Sequence, residues 1–458
     1  MAERDELLKL RPPRAVLDIA DRLDKAGFET WCVGGAVRDA LLGEQHLDWD
    51  LATAATPEQV RTLFGHRRTI PVGIEFGTVG ILDDQKTLHE VTTFRRDVRT
   101  DGRHAEVEFG VSLDDDLARR DFTINAIAYS PREERLHDPF GGRADLKRGV
   151  VRAVGVPAER MKEDRLRALR AIRFASRFDF QIDPPTWTAI VECAPYLSRL
   201  SPERVKQELE KTMDQVARPS GALARWRDAG ALSALVPALA GTSDGAFRAL
   251  DCLAWPGLVR RPNRRVHRMA MLFSDVPASQ IVAALTALRC SKHEINWIQA
   301  LVSRWQSLGP GIRDALLAGN DIGDAQVRRW VAAIGRLHLP GFFRMASARW
   351  AATRAVDGGG AGGADSANVR ALAPAPEQIR ALYRRAIRVA YRDPVDLRDL
   401  ALDGDDLRHA GIPGGPGMRT MLNALLDWVL DDPSRNVSAA LLAHAEELRV
   451  RNAPGSTR

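Results

Sequence analysis

The sequence predicts an α+β protein, with a mixed head over residues 1–155 followed by helices to the end of the chain. Three observations carry this. Short apolar or alternating runs bounded by turn residues are confined to the first 150 residues or so, where helical patterns interleave with them. From residue 157 onward strand signals nearly vanish into amphipathic stretches. Within that helical part, DGGGAGGADSA at 357–367 is low-complexity and reads as a flexible linker or surface insert.

In order along the chain, residues 14–26 follow Pro12-Pro13 with apolar residues at helical spacing, and Gly27 offers a stop. Trp31-Cys32-Val33 reads as a strand running into Gly34-Gly35, and 36–43 reads as a helix ending at Gly43. Residues 47–53 (LDWDLAT) alternate like a strand, and Thr56-Pro57-Glu58 looks like a helix start with proline at its first position. Residues 76–82 and 88–94 read as two strands of a hairpin turned by Asp83-Asp84-Gln85-Lys86. Helices are then expected at 157–177, 184–194, 202–216, 219–235, 263–274, 277–288 and 293–306. After the glycine-rich stretch they resume at 376–392, 396–410 and 416–431, and no internal repeat is found.

Composition bounds the function. The four cysteines (Cys32, Cys193, Cys252, Cys290) have no CxxC or paired spacing, which excludes a disulfide scaffold and a cysteine zinc site. No apolar run approaches the ~18 residues of a membrane span. MAERDELLKL lacks the apolar core of a secretory signal, so a cytoplasmic protein is expected. Lys plus Arg is 66 against 60 acids, a net charge of +6 that hints only weakly at a polyanionic partner. The charge is concentrated at 160–177, where seven basic residues outnumber two acids.

Cys32–Thr53 is the most informative segment. Gly34 and Gly35, lacking Cβ, let a triphosphate approach the backbone at a strand–helix junction, and Arg38 follows one turn later as a phosphate grip. Asp48 and Asp50 stand at i and i+2, so in a strand both carboxylates project from one face and can bridge hard divalent cations for phosphoryl transfer. Either piece alone reads equally as a tight turn or a solvated strand end; their succession in one short segment points to a site. Glu90, in the second hairpin strand, is a candidate third carboxylate. In RRDFTINAIAY (119–129), Asp121 is expected to pair with Arg119 or Arg120, with Phe122, Ile124, Ile127 and Tyr129 in the core. In 163–174, Asp164, Arg167, Arg170 and Arg173 are spaced by three and form a slanted ridge on a helix, beside an apolar ridge of Leu166, Leu169 and Ile172. An Arg beside an Asp presents a mixed donor/acceptor edge to a nucleobase.

Together these segments resemble the class II nucleotidyltransferases of the polymerase-β-like superfamily, the tRNA CCA-adding enzymes and bacterial poly(A) polymerases. The residues that carry the resemblance are VGGAVRDALLG, four residues, DWD; then RRDFTINAIA; then 138–155, 163–180 and SPERVKQEL at 201–209, in that order. A looser likeness runs through 399–430. The resemblance implies a nucleotidyltransferase head (1–155), a helical neck with a nucleotide-template helix (156–215), a body (216–356), the linker (357–367) and a tail (368–458) that help hold RNA. It implies Mg²⁺ on Asp48 and Asp50, and nucleotide contacts from Gly35, Arg38 and Arg120. Asp164 and Arg167 are the implied protein template for C or A, with Arg170 and Arg173 as further nucleotide contacts. It places 101–104 in a loop tied to the switch from C to A. Some members carry a metal-dependent HD phosphohydrolase domain; the nearest candidate, RMAMLFSD at 268–275, has Ser274 where a histidine is needed, so no such activity is expected.

The expected reaction is attack of an RNA 3′-OH on the α-phosphate of CTP or ATP with release of pyrophosphate, assisted by metal and positioned by Arg38, Arg120 and the glycine turn. Addition of CCA to tRNA is the leading reading. Poly(A) addition, or partial CC- or A-addition, rests on the same motifs. A catalytically idle RNA-binding protein is the reading from another class. Oligomeric state is not legible.

Overall fold

The computed structural model describes residues 10–44, 48–100, 105–253, 264–319, 321–355 and 373–451. The expected 101–104 loop and the 357–367 linker lie outside them. The chain divides into two compact units, residues 1–217 with 221–240, and residues 218–220 with 241–458.

The first unit is the mixed one. It opens with α1 (Arg14–Lys25), β1 (Thr30–Val33), α2 (Gly35–Leu41), β2 (Asp50–Thr53) and α3 (Pro57–Phe64). Thr56 caps α3 in a capping box with Gln59, which fixes the start the sequence indicated. β3 (Thr69–Gly73), β4 (Thr78–Leu82) and β5 (Leu88–Thr93) follow, then the ribbon β6 (Arg95–Thr100) and β7 (Ala105–Phe109), and α4 (Leu113–Ala118). β8 (Ala128–Ser130) and β9 (Arg135–His137) complete a seven-stranded sheet of order β3-β4-β5-β2-β1-β8-β9. β1 runs antiparallel to β2 with Val33 opposite Asp50, and β2 runs parallel to β5 with Leu51 opposite Val91. The expected β4–β5 hairpin is present. Trp31, Val33, Ala52, Phe94, Leu113, Leu117, Ala126, Ala128 and Val154 form a buried cluster in this unit.

After α5 (Gly142–Arg148), short β10 (Val150–Val151) pairs parallel with β11 (Gln181–Ile182). A Cβ on Gly142 would stand 2.1 Å from the Thr123 carbonyl oxygen, so only glycine lets α5 approach that loop. The stretch expected as one helix over 157–177 is two, α6 (Pro157–Glu163) and α7 (Leu166–Phe178). Asp164 sits between them in extended backbone (φ −145°, ψ 104°), and its Oδ1 accepts the Leu166 N–H at 3.0 Å. The Asp164–Arg173 ridge is therefore corrected: Asp164 lies off the helix, because a short acceptor side chain is better used on the free N–H groups that open α7. α8 (Pro184–Cys193), α9 (Pro202–Gln215), α10 (Pro219–Asp228) and α11 (Ala231–Leu235) follow, the last two parted by Gly230 at φ 78° where one helix was expected.

In the second unit every described α-helical or strand element is a helix: α12 (Asp244–Asp251), α13 (Arg264–Leu272), α14 (Ala278–Ala287), α15 (Lys292–Leu317), α16 (Asp324–Ile334), α17 (Leu339–Ala355), α18 (Pro376–Arg392), α19 (Gly404–His409), α20 (Pro416–Asp431) and α21 (Ser438–Arg451). One core joins α15–α18 through Ile312, Val331, Phe342, Phe343 and Leu382; another joins Leu407, Leu425, Val429 and Leu441. Among the described residues no helix is long and apolar enough to cross a membrane. None of the four cysteines forms a disulfide.

Candidate active site

The site grows from the β1–α2 turn. Gly34 has φ 78° and ψ −139°, a conformation open to glycine. A Cβ there would stand 3.1 Å from Arg120 Nη1 and 3.8 Å from Asp50 Oδ2; one on Gly35 would stand 3.5 Å from Arg38 Nη2. The turn is thus ringed by a carboxylate and two guanidiniums, and four of the expected residues come together with Gly34.

The carboxylates follow from the strand. Asp48 is exposed, Trp49 buried and Asp50 half-buried, so alternation continues through the start of β2 and both aspartates share one side. Burial, with the Asp50 carboxylate adding to it, pushes up the pKa of the neighbouring Cys32 thiol. One step before the Leu51–Val91 pair, the parallel register aligns Glu90 with Asp50. Among the described residues no three or more His, Cys, Asp or Glu side chains assemble into a group that could hold a metal ion. Two hard oxygen donors side by side, beside a glycine turn, have the chemistry to bind a hard divalent cation.

Arg120 is placed by Asp116, whose Oδ2 accepts from Arg120 Nη2 at 3.1 Å while Oδ1 accepts from Arg119 Nε and Nη2 at 3.0 and 2.7 Å. Burial alone raises the Asp116 carboxyl, but Arg120 and Arg119 outweigh it and hold it below the usual range. Asp121 does not pair with either arginine as expected. It accepts Arg170 Nε at 2.8 Å and Nη2 at 2.7 Å, and Asn125 Nδ2 at 2.8 Å. Its pKa too is lowered, with Arg170 overcoming burial. Phe122, Ile124, Ile127 and Tyr129 are buried as expected.

Arg38, the expected grip on phosphate, is enclosed by neighbouring side chains. It is only 3% exposed. Its guanidinium lies 4.9 Å from the Phe174 ring centre and 4.8 Å from that of Phe178, both on α7. Nε donates to Asp39 Oδ1 at 2.7 Å and Nη1 to Asn125 Oδ1 at 2.5 Å. Burial pushes its pKa down and Asp39 pulls it back. An arginine one turn into α2 has the reach to cross to α7, where a pair of aromatics four apart offers two ring faces.

The template candidates are also engaged. Arg167 donates to Glu163 Oε2 at 2.6 Å and to the Arg160 and Arg119 carbonyls at 3.1 and 2.9 Å. Asp164 Oδ2 accepts from Arg204 at 2.7 Å. They stand at the α6–α7 junction but do not pair through their side chains with each other. Arg173 is buried and bonded to Glu208 and to Gln215 Oε1, both of α9. Sequence reasoning missed Asp39, Asp116, Asn125, Phe174, Phe178 and Glu208. Each lies inside or beside a segment that carried the resemblance, but one-dimensional spacing gives no sign that their partners come from distant elements, as Arg177 does for Asp39 at a separation of 138 residues.

A mixed sheet bearing a glycine turn, paired aspartates and a following arginine–aspartate segment defines the class: a nucleotidyltransferase head. The family model described as "Poly A polymerase head domain" matches residues 30–152, and that described as "Probable RNA and SrmB- binding site of polymerase A" matches 179–242. A CCA-adding enzyme of Geobacillus kaustophilus is 33% identical over 444 residues, 95% of this chain and 97% of that protein. The chain belongs to the CCA-adding enzyme family. A CCA-adding enzyme of Streptococcus suis is 46% identical over 199 residues, 43% of this chain and 48% of that protein, so this match spans about half the relative's length. The crystal structure of a Bacillus stearothermophilus CCA-adding enzyme in complex with CTP superposes with a TM-score of 0.72 at 29% identity, over 97% of this chain and all of that one.

Proposed function

We propose that the protein adds CCA to tRNA 3′ ends, using CTP and ATP and a metal ion, Mg²⁺ by the oxygen-only donor set. The observation that carries this reading is the convergence of Asp50, Arg120 and Arg38 on the Gly34–Gly35 turn.

Asp48 and Asp50 hold the ion, which when bound neutralises phosphate charge and lowers the pKa of the RNA 3′-OH. The remaining work is positional. Gly34 leaves the backbone bare where a triphosphate approaches. Arg120, oriented by buried Asp116, presents positive charge to that turn and favours the negative charge that builds around the five-coordinate α-phosphorus as the 3′-oxygen attacks it and pyrophosphate departs. Arg38 braces the turn from beneath against Phe174 and Phe178, which ties the head to the neck helix. Asp164 and Arg167 are the proposed base-reading pair; to read C or A they exchange Arg204 and Glu163 for the base edge, which makes nucleotide choice depend on those two partners. Arg170 and Arg173 act through Asp121 and Glu208, as struts of the template helix. The chain folds as head, neck, body and tail along 1–155, 156–215, 216–356 and 368–458, with the protein acting in the cytoplasm.

Primer extension on a tRNA transcript ending at the discriminator base tests this. Two C's with CTP alone, then one A and a halt once ATP is added, are expected. Long A tails on varied RNA ends would make it a poly(A) polymerase, and no Mg²⁺-dependent incorporation would overturn the catalytic reading.

A further inference from the structure

The second unit carries an unclaimed basic surface on α18. Ile379, Leu382, Ala386, Val389 and Ala390 face the core, and the opposite side exposes Arg380, Arg384, Arg388 and Arg392 at four-residue intervals. At 1.5 Å per residue the stripe is about 18 Å long. The other surface arginines of this unit are commonly paired: Arg313 with Asp314, Arg329 with Asp431, Arg385 with Asp324, Arg449 with Glu446. Arg380 is held by Glu377. Arg384, Arg388 and Arg392, in contrast, make no ion pair or side-chain hydrogen bond among the described residues. Arg388 exerts only a longer-range pull on Asp324, which Arg385 already occupies.

An aromatic side chain ends the stripe. Tyr391 is 77% exposed, on the same side of the helix as Arg384 and Arg388. The 335–338 turn is fixed beside it, because Arg336 donates to the Ala390 carbonyl, and that turn carries Leu337 at 78% exposure. Leaving three guanidiniums unpaired beside the two most exposed large apolar side chains among the described residues has no value to the packing of this unit. The combination fits a polyanion with flat bases: guanidiniums grip phosphates bidentately, and an exposed tyrosine stacks on an unpaired base.

We infer that the Arg384–Arg388–Arg392 stripe, ended by Tyr391, is a contact surface for the phosphate backbone and one unstacked base of the RNA substrate. This rests on the proposed function for the identity of the RNA, and it lies outside the segment that the RNA-binding family model covers. The face is arginine-lined rather than apolar, which suits nucleic acid better than the interior of a bilayer.

The test is tRNA binding by the full-length protein, with a transcript lacking CCA, between about 50 and 300 mM KCl. For R384Q/R388Q/R392Q the slope of log Kd against log salt is expected to shrink by about 2–3 units, with affinity at least about tenfold weaker at 0.15 M. The control R313Q/R329Q/R449Q removes the same charge from the same unit at paired arginines and is expected to leave the slope unchanged. Y391A is expected to weaken binding about five- to hundredfold, and Y391F to restore it, since stacking needs the ring and not the hydroxyl. Circular dichroism melts establish that each variant is folded. Equal slope changes in both triple variants, or none in either, would overturn the inference. Wild-type protein that binds RNA with the stripe's salt signature but incorporates no nucleotide would sink the proposed function and leave the stripe standing; incorporation with an unaltered slope in the stripe variant does the reverse.

Discussion

Replacing Arg38 by alanine separates a brace from a nucleotide ligand. The side chain is enclosed by two rings, a carboxylate and an amide. Its removal strands the buried Asp39 carboxylate, a loss of the kind that costs about 3–5 kcal/mol. Two ring contacts of about 0.5–2 kcal/mol each go with it. Arg177 Nη2 already lies 3.2 Å from Asp39 Oδ2 and recovers part of the first loss. A net cost of about 4 kcal/mol is expected, which for a domain of 150–250 residues lowers Tm by about 8–16 °C. Arg38→Lys keeps the charge but neither the planar stacking nor the forked donors, and is expected to fall between. The assay is thermal and urea unfolding of the nucleotide-free protein, beside primer extension. If Arg38→Ala melts within a degree or two of wild type while activity collapses, the cage is energetically idle, and Arg38 serves only the nucleotide.

Asp48→Ala or Asp50→Ala is expected to lower nucleotide addition by at least about a thousandfold with tRNA affinity largely kept, whereas Glu90→Gln should cost far less; equal losses at all three in single-turnover extension would establish Glu90 as a third catalytic carboxylate. Gly34→Ala strains a positive-φ position and drives a methyl against Arg120, so nucleotide KM should rise about tenfold or more with little change in RNA binding, an outcome read by steady-state kinetics. Glu208→Gln leaves buried Arg173 without its anion and should destabilise the first unit by about 3–5 kcal/mol in urea titrations. Asp116 and Asp121 have folded pKa values below an unfolded value of about 3.9, so between those values the unfolded chain binds more protons and stability rises with pH. Their contribution is full above about pH 4–5 and is lost as pH falls through the folded values; urea unfolding at pH 3 as stable as at pH 6 would contradict it.

The legible parts of this sequence are those where a local rule decides the structure. The β4–β5 hairpin, the capped start of α3, the glycine turn and the aspartate pair were each readable because turn chemistry and period-two alternation act over a few residues. β3, interrupted by Pro71, the ribbon whose first strand β6 (RRDVRT) is almost wholly polar, and β8–β11, of two or three residues each, were not, since none opens on an apolar pattern bounded by turn residues. The two errors at the site share one cause. Spacing by three put Asp164 on a helix, and proximity in sequence paired Asp121 with Arg119 or Arg120; in both cases a longer-range partner won. Arg204 and the opening N–H of α7 claim Asp164, while Arg170, 49 residues on, claims Asp121.

That pattern has a consequence for how the head and the template helix work together. Asn125 accepts from Arg38, donates to Asp121, and its carbonyl receives Arg120 at 3.4 Å; Asp121 in turn holds Arg170 on α7. The glycine turn and the template helix are therefore joined through one buried amide and one largely buried carboxylate, each satisfied on more than one side. Because a half-satisfied buried network costs more than an intact one, the triphosphate site and the base-reading junction hold their geometry jointly. Mutations in the network should then couple: the Arg38→Ala and Arg170→Ala losses in stability should sum to more than the loss of the double variant. Strict additivity in a double-mutant cycle would mean that the two halves of the site are held independently.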